Sequence, residues 1–251
     1  MLIAEALRRN GIVLSNDAVS RLARFGEILL MANKEFNLTA ITDPAEIAVK
    51  HFADSLASLD FFPKGALCAD VGSGAGFPAI PLLIARPDLR FTLIDSLAKR
   101  VTFLSGTLTA LGLKSSCAVH ARAEDLAKAE EQTGGKGKKK DTLRGHIGLD
   151  NCRGTFDVAT ARAVAPLPTL LEYLLPLLKL NGIAVIYKAK GVEEEIGASA
   201  KALPLLGGKV EQIKYFELDG KYERNIIVVR KVKETPPAYP RGGNKPKTNP
   251  L

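Results

Sequence analysis

The segment Asp70-Val71-Gly72-Ser73-Gly74-Ala75-Gly76 constrains this chain more than any other feature. It directly follows an apolar run over residues 66–71 and precedes a stretch that reads as a helix from near Pro78. Glycines in such a loop let the backbone turn sharply and come close to a ligand, which side chains would prevent. A dinucleotide-binding fingerprint needs GxGxxG, but here Phe77 holds the third-glycine position and the spacing is GxGxG. Asp70, two residues before Gly72, has no place in that fingerprint and either orders the loop or meets a ligand's ammonium group. Asp95 closes the next apolar run, within the roughly 20-residue interval at which an acid reaches ribose hydroxyls in a βαβ unit. An acid before the loop, an acid after the next strand and the missing glycine together favour S-adenosylmethionine over NAD.

The rest of the chain alternates in the same way. Short apolar runs at 66–71, 91–95, 117–120, 156–160 and 182–188 are separated by helical stretches, the pattern of a parallel sheet wrapped by helices. Two more runs, 211–218 and 225–232, flank the turn residues Asp219 and Gly220 and predict an antiparallel hairpin. The expected fold is therefore α/β and Rossmann-like, with a seven-stranded, mostly parallel sheet. Residues 1–62 read instead as a small N-terminal helical cap. Ser15 is a candidate N-cap for a helix whose apolar face carries Val19, Leu22, Phe25, Leu29 and Met31. Asp43, Pro44 and Glu46 form a capping box before the stripe Val49, Phe52, Leu56 and Leu59. The predicted organisation is a cap over 1–62, a methyltransferase-like domain over 63–233 and a closing tail over 234–251.

With 251 residues, 46% hydrophobic and 25% charged, the chain can bury a full core, which excludes global disorder. Three cysteines at wide spacings make neither a disulfide framework nor a metal pair, and three histidines make a structural metal centre improbable. The apolar runs are too short to span a membrane and the first residues lack a signal-peptide core, so a cytoplasmic protein is expected. Of the formal charge of +8, residues 231–251 carry +4 and residues 131–154 carry +3. Both segments are rich in Gly or Pro and lack apolar periodicity, which predicts flexible basic appendages on a nearly neutral body. Such arms suit a polyanion, since each phosphate contact releases counterions without needing fixed geometry; solubilising tails are the bland alternative. Removing residues 241–251 is then expected to weaken RNA binding and to leave cofactor affinity unchanged.

Several segments taken in order resemble a known family. They are Asn33-Lys-Glu-Phe-Asn-Leu-Thr39, His51-Phe-Ala-Asp-Ser55, the loop over 70–81, Leu93-Ile-Asp-Ser-Leu-Ala-Lys-Arg100, Ala161-Arg-Ala-Val-Ala165, Tyr187-Lys-Ala-Lys-Gly191, Tyr239-Pro-Arg241 and Asn249-Pro-Leu251. Together they resemble the bacterial small-subunit rRNA guanine-N7 methyltransferases, the RsmG or glucose-inhibited division protein B family. The stretch 131–154 departs from it as an insertion. The resemblance implies a class I S-adenosylmethionine-dependent methyltransferase acting on N7 of a specific guanine in 16S rRNA, on free RNA or a small-subunit particle. It implies no metal, no membrane and no obligate protein partner. It places cofactor contacts at Gly72, Phe77, Ala123, Glu124 and Arg162, to which Asp95 is added on physical grounds.

On the substrate side the candidates are His51, Arg122, Arg162 and Lys190. An arginine fork laid on guanine N7 would block methylation there, so these arginines belong to phosphate, O6 or cofactor. His51 lies three residues before Asp54 on one helix face and is either oriented by it or makes a structural helix–sheet contact. Asn37 reads equally as a helix C-cap, and Lys99 and Arg100 as solvated residues at a helix start. The chain lacks an Asn/Asp-Pro-Pro-Tyr/Phe motif after the fourth strand, and Cys117 and Cys152 are poorly placed as ring-carbon nucleophiles. The competing readings are an NAD-dependent oxidoreductase, a non-enzymatic RNA-binding protein on the same fold, and a methyltransferase for another RNA site or a small molecule.

Overall fold

A computed structural model describes residues 2–128 and 151–251. Most of the basic insertion therefore lies outside the described residues. The chain begins with α1 (Leu2–Arg9) and α2 (Asn16–Phe36). Ser15 caps α2 by accepting from the Ala18 N–H, and Asn37 ends it in the left-handed conformation. Leu22, Phe25 and Leu29 are fully buried on its inner face, whereas Met31, expected beside them, is 69% exposed. A residue two positions after Leu29 lies about 200° around the helix, so the three-to-four spacing excludes it from that stripe.

The second cap helix departs from expectation in geometry rather than in place. It starts as α3 (Pro44–Glu46), with the Asp43 carboxylate accepting the Glu46 N–H. The Glu46 side chain pairs with Lys50. From Ile47–Ala53 the backbone is a π-helix, and it returns to α-helix in α4 (Asp54–Leu56) before a 3₁₀ turn at Leu59–Phe61. The wider π turn accompanies burial of His51, Asp54, Ser55 and Ser58 as well as the apolar stripe.

The sheet contains β1 (Leu67–Val71), β2 (Arg90–Asp95), β3 (Cys117–His120), β4 (Phe156–Arg162), β5 (Leu178–Lys188), β6 (Gly208–Leu218) and β7 (Tyr222–Lys231), in the spatial order β3-β2-β1-β4-β5-β7-β6. The first five are parallel, and β7 enters antiparallel between β5 and β6. The intervening helices are α5 (Ala79–Ala85), α6 (Ala98–Ala110), α7 (Ala123–Leu126), α8 (Leu167–Leu174), α9 (Val192–Ala198), α10 (Ala202–Leu206) and, in the closing segment, α11 (Lys245–Thr248). Because both faces are covered, the central strands are apolar on both: Val185 and Tyr187 face one core while Ala184 and Ile186 face the other. The strand order reverses between β1 and β4, so the loops after these two strands diverge and open a crevice at their carboxyl ends.

The cap shares its core with the sheet. Phe25 and Phe52 pack with Phe77, and the same apolar cluster runs through α5, α6, β2 and β5. At the far end, Arg9 and Asn10 hold Asp219 in the β6–β7 turn. The change of texture near residue 62 therefore does not separate two cores. Substituting Phe25→Ala is expected to cost about 3–5 kcal/mol, with cap and sheet unfolding in one transition; denaturant unfolding followed by circular dichroism checks this. A separate, earlier cap transition would contradict it.

Candidate active site

The loops at the carboxyl ends of β1 to β4 enclose a cleft of about 250 Å3. Its floor is Val71 and Gly72, and one side carries Asp95, Ser96, Ala123 and Glu124. Gly72 sits at φ +71°, and a Cβ there would lie 2.6 Å from a Val164 methyl, so both the turn and the close approach demand glycine. Val164 reaches that position because Ala163, at the end of β4, adopts a left-handed φ of 57°. Such a conformation is unfavourable for alanine and persists where the surroundings impose it, commonly at functional sites. Asp95 fastens the loop: its carboxylate accepts the Gly74 N–H at 2.9 Å and the Leu97 N–H at 3.0 Å. Oδ1 keeps a second lone pair for a ligand hydroxyl, while Oδ2 also faces the Arg100 guanidinium at 3.5 Å.

Asp70 behaves differently. It is fully buried beneath the glycine loop, and neither carboxylate oxygen has a hydrogen-bond partner among the described residues. Burial, partly offset by the nearby Ser73 hydroxyl and Arg162 guanidinium, pushes its carboxyl up to about 7. Loop order comes instead from its backbone carbonyl, which accepts from the Ser73 hydroxyl. Of the two readings of Asp70, the unpartnered side chain leaves the one that meets a cationic group, although it lies beneath the glycine loop and does not line the cleft itself.

Beside the cleft, the β4 edge meets the cap through Arg162. Its guanidinium donates to Asp54 Oδ2 at 2.8 Å, to the Lys50 carbonyl at 3.2 Å and to His51 Nδ1 at 3.1 Å. It also lies 4.9 Å from the centre of the Phe77 ring, on which His51 stacks at 4.3 Å. Arginine only donates, so Nδ1 must be the unprotonated ring nitrogen, and Nε2 carries the proton towards Thr39 Oγ1 at 2.9 Å. Burial first, then the Arg162 charge, holds the His51 pKa down at about 3. His51 is thus a neutral imidazole whose lone pair is already committed. It is not oriented by Asp54, as the spacing suggested; both residues converge on Arg162.

A family model described as rRNA small subunit methyltransferase G, GidB, matches residues 18–227. The chain belongs to this family. Proteins named ribosomal RNA small subunit methyltransferase G are 43% identical in Desulfitobacterium hafniense, over 97% of this chain and 94% of the relative. In Exiguobacterium the identity is 44%, over 98% and 97%, and in Bacillus subtilis 40%, over 98% and 95%. Among solved structures, a SAM-dependent methyltransferase from Aquifex aeolicus aligns with a TM-score of 0.51 at 19% identity, covering 76% of this chain and 94% of that one. A cofactor-bound protein from MTB aligns at 0.54 and 16% identity, covering 86% and 91%. These likenesses show the fold, a class I S-adenosylmethionine-dependent methyltransferase fold, as expected.

Within this member of the GidB family the expected site residues divide among three places. Gly72, Asp95, Ala123, Glu124 and Arg122 line the cleft. Phe77, Arg162 and His51 instead form the cap contact beside it, with Phe77 only 5% exposed and its ring packed among Phe25, Phe52 and His51. Lys190 joins neither: its side chain is 81% exposed and pairs with Glu223. Arg122, expected near the substrate, faces Glu124 at 3.6 Å and donates to Asn244 Oδ1 at 2.8 Å. Arg100, read as solvated, approaches Asp95 at 3.5 Å. Sequence reasoning missed Val164, Tyr173, Asn244 and Lys247 in the cleft wall, because no periodicity or motif connects them to the glycine loop. No group of three or more His, Cys, Asp or Glu residues that could hold a metal occurs among the described residues. No described helix is long and apolar enough to cross a membrane.

The unpartnered Asp70 carboxylate, the Gly72 cradle and the Asp95 and Glu124 carboxylates fit S-adenosylmethionine, which offers an ammonium, ribose hydroxyls and an adenine amine. The sign of the pH effect follows from Asp70. In the ligand-free protein its raised pKa costs stability as pH rises from about 4 to about 7, whereas an ammonium partner favours the ionised form. S-adenosylmethionine affinity is therefore expected to rise roughly fivefold between about pH 6 and about pH 7.5, and Asp70→Asn to bind more weakly without that dependence. Titration calorimetry across this range checks both; equal pH profiles for the two proteins would refute the assignment.

Proposed function

We propose that this chain methylates N7 of a guanine in small-subunit rRNA, using S-adenosylmethionine. The nearly full-length match to relatives named for small-subunit rRNA methylation carries the substrate class. What favours N7 is the state of His51. Guanine N7 has an in-plane lone pair and loses no proton on methylation, so the reaction needs no general base. His51 is neutral, and its acceptor nitrogen is filled by Arg162. That arrangement serves to hold a shape rather than to move a proton.

S-adenosylmethionine supplies an activated methyl group when bound. The chain's part is then positioning: Gly72 allows close approach of the ligand, Asp70 and Asp95 fix its polar groups, and Val164 closes over the loop. Arg162 and His51 set the cap against the β4 edge, next to the cleft, where a base must enter. Arg122 and Lys190 are assigned to the approach of the RNA backbone only in so far as their remaining donors are free of Asn244 and Glu223. A particle or rRNA substrate and a cytoplasmic site of action belong to the same reading.

Incubation with labelled S-adenosylmethionine and small-subunit RNA or particles lacking the modification, followed by reductive cleavage at 7-methylguanine, tests it. A single cleavage site in 16S rRNA is expected. Label transfer without cleavage would remove the N7 assignment, and no transfer to any RNA would remove the substrate class.

A further inference from the structure

The closing segment, expected as a loose basic arm, is built into the fold. Arg153, counted among the charges of the insertion, donates to the carbonyls of Ala127, Thr235, Pro236 and Tyr239. Lys231, counted in the tail, is fully buried and donates to the Leu178 carbonyl at 2.8 Å. Arg241 forms a two-pronged pair with Glu172, whose side chain is completely buried in α8, and its backbone N–H donates to the same carboxylate at 2.7 Å. Thr169, one helical turn earlier on α8, donates to the Pro246 carbonyl at 2.8 Å. A buried carboxylate is tolerable only when paired and hydrogen-bonded, so Glu172 demands that this segment stay docked.

We propose that the segment from Arg241 to Thr248 is a wall of the cofactor cleft, and that Asn244 and Lys247 hold bound S-adenosylmethionine rather than RNA. The inference rests on reading the cleft as the S-adenosylmethionine site. Asn244 and Lys247 line it together with Gly72, Asp95 and Tyr173, which is adjacent to Glu172 on α8. A nucleoside bound in this cleft lies within reach of these residues, which line it. Asn244 spends its carbonyl oxygen on Arg122, so it offers a ligand its N–H2 end. Lys247 adds a positive charge and three donors to a cleft that also carries Asp95 and Glu124. These donors suit the accepting groups of the ligand's nucleoside, at the end of the cleft where Arg122 and Glu124 lie. Both residues are exposed at their outer surfaces and anchor no core, so substituting them leaves the fold in place. On this reading cofactor affinity depends on residues 241–251, contrary to the expectation from charge alone.

The test compares the full-length protein with Lys247→Ala and Asn244→Asp; the latter retains an acceptor for Arg122 and loses the donor. Calorimetry measures affinity for S-adenosylmethionine and S-adenosylhomocysteine, filter binding at saturating S-adenosylhomocysteine measures RNA affinity across salt, and ligand-free melting verifies the fold. Each variant is expected to bind both ligands roughly tenfold more weakly, with an unchanged melting temperature and RNA salt slope. Deletion of 241–251 should weaken cofactor binding further. Unchanged cofactor affinity with a flatter salt slope would overturn the proposal in favour of an RNA-binding arm, and no change in either would overturn it outright. An unaltered protein that binds neither ligand would overturn the methyltransferase reading and this inference with it.

Discussion

Arg162 holds the site together because a guanidinium cannot shed its charge when it is buried. At the end of β4 it is only 14% exposed, and it is satisfied by Asp54, the Lys50 carbonyl, His51 and the face of Phe77. Removing one partner of such a pair leaves an uncompensated charge, at a cost of about 3–5 kcal/mol. The cap is therefore fixed to the sheet by charge as well as by the Phe25, Phe52 and Phe77 cluster. The next two residues extend the consequence: Ala163 turns into the left-handed region and Val164 comes down on Gly72. Three consecutive positions at the end of β4 and just beyond it thus tie the cap contact to the shape of the cleft.

A similar logic governs the opposite wall. Glu172 and Arg241 are a buried and a half-buried charge that need each other, and their pairing brings α11 to the mouth of the cleft. Charges that count towards a polyanion-binding arm in a sequence sum are here spent inside the protein. Lys231, Arg153 and Arg241 all donate to internal carbonyls or carboxylates. Net charge measures what a chain carries; it does not say which charges face outward.

The electrostatics of the cleft separate binding from scaffolding. Asp95 has its backbone donors, whereas the Asp70 oxygens have no well-formed hydrogen bond among the described residues, and burial raises its carboxyl despite the nearby Ser73 hydroxyl, Ala79 N–H and Arg162. His51 is held neutral for the contrary reason: it is fully partnered, beside a cation that resists a second positive charge. Buried titratable groups in one site can therefore carry opposite meanings, and the hydrogen-bond count tells them apart.

The sequence by itself determined the layers and the loop. The seven apolar runs became the seven strands within a few residues: the parallel strands because a strand buried on both faces must be apolar throughout, and the last two because Asp219 and Gly220 mark a turn between them. The Gly72 turn was legible because only glycine tolerates its backbone, and Asp95 because strand length and loop length fix where an acid ends β2. The π turn, the exposure of Lys190, the convergence of His51 and Asp54 on Arg162, and the return of Asn244 and Lys247 to the cleft were decided by tertiary structure. These depend on contacts between residues far apart in the chain, such as Arg122 with Asn244 and Glu172 with Arg241. No local periodicity records such pairs, since the free energy of burying a charge depends on what folding brings beside it.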